Sequence, residues 1–126
     1  MSYQDGLIKS LNTKTVVLDP CPIPEEIQEG SPTAAIKVLW QSEDKSCLTA
    51  VWSCTVGKWE IDWQWDETMY LIEGQLELID HLGHSQTFNP GDFYHVSKGA
   101  KTVWNVKQPL KKIFYIRGYI PREQQE

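Results

Sequence analysis

The chain has little of what metal and redox centres are usually built from. Three histidines and three cysteines (Cys21, Cys47 and Cys54) are scattered through 126 residues with no CxxC pair. That argues against zinc-ribbon and dithiol chemistry and leads us to expect free thiols and a cytoplasmic protein. Long apolar runs are missing as well: none is long enough to span a bilayer, and the opening MSYQDGLIKS has no apolar signal core, so a membrane partner is not expected. Positive charge is in short supply. The net charge is −5, whereas binding a phosphate backbone needs clustered Lys and Arg, which sets nucleic acid aside as a partner. The nearest approach to a basic cluster, Lys107, Lys111 and Lys112, reads as a solubilising strand edge. There is no GxSxG elbow, P-loop or GxGxxG turn to support another chemistry.

Aromatic residues are what the chain does have, including six tryptophans. Four of them fall in LTAVWSCTV (48–56) and KWEIDWQW (58–65). In the second stretch Lys58, Glu60, Asp62 and Gln64 take one parity, and Trp59, Ile61, Trp63 and Trp65 take the other. Successive strand side chains point to opposite faces, so this is a strand with one solvated face and one aromatic wall. The wall parity continues to Glu67, Met69 and Leu71 unless a bulge intervenes. A carboxylate would then share a face with three indoles.

The rest of the chain is punctuated like an all-β protein. Residues 1–30 are the least regular: TKTVVL (13–18) suggests a short strand, and the Pro-rich segment after it suggests an arm running over the surface, with one helical turn opening at Pro24–Glu26. AAIKVLW (34–40), LTAVWSCTV, KWEIDWQW, TMYLIEG (68–74), QLELID (75–80), Ser85–Phe88, FYHVS (93–97), KTVWNV (101–106) and LKKIFYIRGY (110–119) then read as successive strands. Gly74 is expected to start a tight reversal. Asn89-Pro-Gly-Asp92 has the signature of a type II turn, and PREQQE of a frayed tail. TMYLIEG is apolar on both parities and should be covered on both sides. Short strands at even spacing with no helical period indicate a sandwich or barrel. One domain is expected over 1–126, with the arm at 1–30 and the barrel at 34–119.

GKWEIDWQWDETMYLIEG followed by FNPGDFYHVSKGAKTVW resembles the two-motif core of the cupin superfamily. Glu67 with Gly74 matches the end of the first motif. Gly91, Ser97 and Gly99 match the start of the second, with Ser where Pro is usual. Trp63, Asp66, Glu67, Thr102 and Trp104 make the chain similar to the small single-domain cupins grouped with the cupin domain of ureidoglycine aminohydrolase. The resemblance implies an all-β, cupin-type double-stranded β-helix (jelly-roll) barrel, commonly a homodimer, with a pocket inside. It also implies a metal site. Here, however, the motif-one histidine positions are Ile61 and Trp63 (or Glu60 and Asp62 with the longer spacer), and the motif-two position is Thr102. Of the usual ligands only Glu67 is present. No cofactor is therefore expected, with a divalent metal left open, because transition metals need several converging donors.

The candidate site follows from these residues. Glu67 is the candidate catalytic group: burial among indoles would favour its neutral acid and suit it to proton transfer or to anchoring a ligand. A bulge at Gln64–Asp66 would instead turn it outward. Trp52, Trp63 and Trp104 are candidate ligand contacts, with Thr102 as a polar tip, since indole faces suit flat or cationic organic molecules. Trp59 and Trp65 share the alternative reading of all five, core filling. His81 and His84 lie in a turn; His95 could face the pocket or solvent. Cys54 reads as a small buried hydrophobe. Two functions stay in view: a metal-free module binding a small polar or aromatic metabolite, and an aminohydrolase- or isomerase-like enzyme using Glu67 as general acid or base, possibly metal-assisted.

Overall fold

The computed structural model describes residues 7–120; the PREQQE tail lies outside them. Nine strands form one antiparallel sheet that curls on itself, and no helix is present among the described residues. They are β1 (Asp19–Cys21), β2 (Ile27–Gly30), β3 (Ala34–Gln41), β4 (Leu48–Cys54), β5 (Gly57–Asp62), β6 (Asp66–Asp80), β7 (Ser85–Phe88), β8 (Phe93–Val96) and β9 (Lys101–Arg117).

Two long strands organise the fold. The first half of β9 lies between β5 and the second half of β6, and its second half lies between β4 and the first half of β6. This gives two half-sheets, ordered β2-β5-β9-β6-β7 and β1-β3-β4-β9-β6-β8, with β6 and β9 running through both. The all-β jelly-roll reading of the sequence holds, with two corrections. Gly74 does not reverse the chain: 68–80 is one strand that bends there, through shifts in register between Leu71 and Leu76. Likewise 101–106 and 110–117 are one strand, and its Pro109 sits where β9 changes neighbours from β5 to β4, a place where a missing N–H costs little. Gly74 has φ +91°, and a Cβ on it would collide with the backbone of Gln108, Pro109 and Leu110. Only glycine lets the two bent strands lie this close.

The arm differs from its sequence reading. Residues 13–15 form a turn, not a strand, because the Asn12 carbonyl accepts from Thr15 N and Val16 N and the Asn12 side chain accepts from Lys14 N. Lys111 Nζ donates to the Thr13 carbonyl at 2.9 Å, tying this turn to the outside of β9. No helical turn opens at Pro24; β1 pairs with β3, β2 pairs with β5, and the Pro-rich segment between them joins the free edges of the two half-sheets. The NPGD turn forms as its composition predicts, with Gly91 at φ +98° and Asp92 N donating to the Asn89 carbonyl at 3.0 Å. TMYLIEG is covered less evenly than expected: Met69 and Leu71 are buried inside, while Tyr70 is exposed on the outer face.

Candidate functional site: an aromatic lumen around a buried ion pair

The β5 alternation sets the interior wall. Trp59 and Trp63 are 2% exposed, and Trp104, opposite Trp59 in the β5–β9 ladder, is 1% exposed. Their rings meet at centroid distances of 6.0–6.4 Å, and Trp52 from β4 closes on Trp104 edge-on at 6.0 Å. Trp65 bridges Trp63 and Tyr119. Together these rings line a cavity of about 640 Å³, and Pro22, Ile23 and Pro24 of the arm line it too.

Glu67 points into this cavity. Residues 63–65 leave the sheet as the chain crosses from one half-sheet to the other, but the parity survives the crossing. Two backbone bonds pin it: Trp63 N donates to the Ala100 carbonyl and Gly99 N to the Trp63 carbonyl. Asp66 also accepts from Lys98 N at 2.9 Å and pairs with Arg117 at 3.2 Å. The backbone N–H of Lys98 and then Arg117 hold the Asp66 carboxyl below its ordinary range. With Asp66 fixed outward, Glu67 faces inward and is 3% exposed.

Its partner is the residue that the sequence reading assigned to a solvated edge. Lys112 is 6% exposed, and its ammonium donates to Glu67 Oε2 at 2.6 Å. Leu71 faces Lys112, Met69 faces Phe114 and Glu67 faces Ile116 across the β6–β9 ladder. The lysine stem therefore runs along the strand and over Met69, whose Sδ lies 3.4 Å from Nζ, to reach the carboxylate. The same ammonium lies 4.7–4.9 Å from the ring centroids of Trp52, Trp104 and Phe114, within the range of cation–π attraction. The other carboxylate oxygen accepts from Trp65 Nε1 at 2.8 Å. A buried charge needs such pairing and hydrogen bonding to be tolerated. The parity carried a signal for Lys112: it falls in step with Trp104, Val106, Leu110, Phe114 and Ile116, all of them buried.

The other predicted site residues divide. Trp52, Trp63 and Trp104 line the cavity. Thr102 does not; its hydroxyl accepts from Trp63 Nε1 at 2.9 Å, so it fixes that indole from behind. His95 lies on the outer face, where its Nδ1 meets Thr68 Oγ1 at 2.9 Å, because Tyr94 and Val96 take the inward parity of β8. Two buried polar atoms in this interior have no hydrogen-bond partner among the described residues: Trp104 Nε1 and Tyr94 Oη. Burial, and after it the Glu67 carboxylate, push the Tyr94 phenol well above its ordinary range. Burial also pushes the Cys54 thiol up to about 12, with Lys112 opposing.

A divalent metal of the kind that the resemblance implied does not fit this donor set. Both oxygens of Glu67 are engaged, Ile61 and Trp63 stand at the histidine positions, and the Thr102 hydroxyl is turned to Trp63. No group of three or more His, Cys, Asp or Glu converges among the described residues. A lysine ammonium is the cation beside the carboxylate.

Comparison with known proteins agrees with the fold. Residues 41–114 match the model of the EutQ-like cupin domain. No curated protein matches the sequence. A solved protein of the DUF861 family from Pseudomonas syringae pv. tomato is 26% identical, with a TM-score of 0.76 over 84% of this chain; the present chain spans only 46% of that protein. The EutQ protein of Clostridium difficile is 20% identical, with a TM-score of 0.73, and the match covers 94% of this chain and 92% of that one. Ectoine synthase from P. lautus shares the fold at 15% identity and a TM-score of 0.62.

Proposed function

The chain belongs to the EutQ-like cupin domain family, and from that premise we propose that its lumen binds a small, flat, largely apolar metabolite carrying a hydrogen-bond acceptor, without a metal. The observation that carries this reading is the 640 Å³ aromatic cavity with the buried ion pair Glu67–Lys112 on its wall. Pockets of this size with few polar groups suit small organic ligands. The pair is neutral in sum, so it does not itself call for a charged ligand. The Lys112 ammonium on the cavity wall offers a donor to an acceptor on the ligand.

A second reading has its own support. The 2.6 Å contact between Glu67 and Lys112 suits proton transfer within the lumen. This favours an aminohydrolase- or isomerase-like enzyme, in line with the likeness to the cupin domain of ureidoglycine aminohydrolase, in which Glu67 acts as general acid or base. In either reading we place the protein in the cytoplasm as a homodimer. Its thiols are free, and Tyr70, Phe93, Ile113 and Tyr115 leave an apolar surface on the outer face, Phe93 being 75% exposed.

Elemental analysis and native mass spectrometry on protein purified without added ions test the main reading. The expected result is no stoichiometric metal and a small organic molecule retained at about one per chain, lost when Trp104 is replaced by leucine. A metal bound near one per chain by lumen residues would overturn it.

A further inference from the structure

Lys112 is placed as a nucleophile as well as a counter-ion. We infer that its amine condenses reversibly with a small apolar aldehyde entering the lumen, forming an imine. The inference rests on the lumen-binding reading above and adds a covalent step to it.

Several features of the site converge on this chemistry. The amine stands on the wall of a cavity large enough for a small aromatic aldehyde, and Trp52, Trp104 and Phe114 surround it. A lysine held in an apolar pocket is a recognised way of making an amine reactive towards carbonyl compounds. The base that such a lysine needs is already in contact: Glu67 Oε2 at 2.6 Å. Trp65 Nε1 holds the other carboxylate oxygen and so fixes its direction.

The step balances without any outside reagent. The ammonium passes one proton to Glu67, and the freed lone pair attacks the carbonyl carbon while the C=O π pair moves to oxygen. A proton shift from nitrogen to oxygen gives the neutral carbinolamine. Glu67 then returns its proton to the hydroxyl, the C–O bond breaks, water leaves, and an iminium remains beside the restored carboxylate. The nitrogen is positive before and after, so the ring faces and the carboxylate that stabilised the ammonium also stabilise the iminium. The largely apolar lining of the lumen favours the release of the water.

The test uses the intact protein with benzaldehyde as the probe and cyanoborohydride as the trap, followed by peptide mapping of the reduced adduct. Tryptophan fluorescence is read in parallel without reductant. The expected result is saturable quenching and an adduct concentrated on Lys112, although the other lysines are more exposed. Lys112→Arg should lose that adduct. Glu67→Gln should slow adduct formation by roughly 10²-fold, the usual loss of one acid–base group. Quenching with label spread over surface lysines and none on Lys112 would refute the imine and leave the lumen reading standing. No quenching and no Lys112 adduct would defeat both.

Discussion

Replacing Lys112 by methionine separates a structural ion pair from a decorative one. Methionine keeps most of the stem's length and apolar contact but removes the ammonium, leaving Trp65 Nε1 as the donor still bonded to a buried carboxylate. At the observed 2.6 Å and an effective dielectric of about 20, the gross attraction is roughly 6 kcal/mol. Desolvating the two ions costs several kcal/mol each, so the intact pair adds little net stability. Breaking it is a different matter. An uncompensated buried charge costs about 3–5 kcal/mol, against a total stability of about 5–15 kcal/mol for a domain of this kind. Glu67→Gln is milder, at about 1–3 kcal/mol, because the ammonium keeps three ring faces and an amide oxygen. The double variant carries no charge and should lie within about 2 kcal/mol of wild type, so the two effects are strongly non-additive. Equilibrium urea unfolding of the four proteins, followed by tryptophan fluorescence at one fixed protein concentration, measures this cycle. A Lys112→Met midpoint equal to that of wild type, or singles that simply add, would refute the reasoning.

Other predictions follow from the geometry. Gly74→Ala combines a forbidden φ of +91° with a Cβ driven into the backbone of β9, and should cost more than about 4 kcal/mol or abolish soluble expression. Gly83→Ala has φ +88° but open space around it, and should lose only about 1–2 kcal/mol; equal thermal shifts for the two would contradict the close approach of β6 to β9. The three thiols should alkylate in a fixed order. Hydrogen bonds from Tyr115 and Ser46 lower the Cys47 thiol, while burial raises Cys21 and lifts Cys54 to about 12. Because the thiolate is the reactive form, iodoacetamide at pH 8 should label Cys47 first and leave Cys54 unmodified until the solution is strongly alkaline or the protein unfolds.

The sequence made one wall of this lumen legible and hid the other. Trp59, Trp63 and Glu67 share a parity in a stretch whose opposite parity is uniformly polar, so a period of 2 identified the inward face even across the break at 63–65. On β9 the same argument fails. In LKKIFYIRGY both parities are apolar, Leu110, Phe114 and Ile116 on one and Ile113 and Tyr115 on the other. Within that run nothing says which of two adjacent lysines turns inward, and the signal for Lys112 emerges only when the parity is carried back through Pro109 to Val106 and Trp104. Central pairing along the whole of β9 removes the solvated edge assumed for Lys112, and that pairing is a property of the assembled sheet. Gly74 misled for a related reason. A glycine after an apolar run signals a turn, and only the partner strand crossing beneath it converts the turn into a bend. His95, in a run of four strand residues, offered too short a pattern to fix its facing.

The Pro-rich segment that lines one part of the cavity is held at each end by a different half-sheet, through ladders of only three registered partners each, one of them bulged. Short ladders at sheet edges open at far lower free energy than central strands. This segment can therefore open locally while β6 and β9 stay protected from hydrogen exchange. A molecule held inside stabilises the closed form by mass action. The amides of residues 19–30 would then report occupancy of the lumen directly, exchanging slowly when it is filled and quickly when it is empty, with little change in the core.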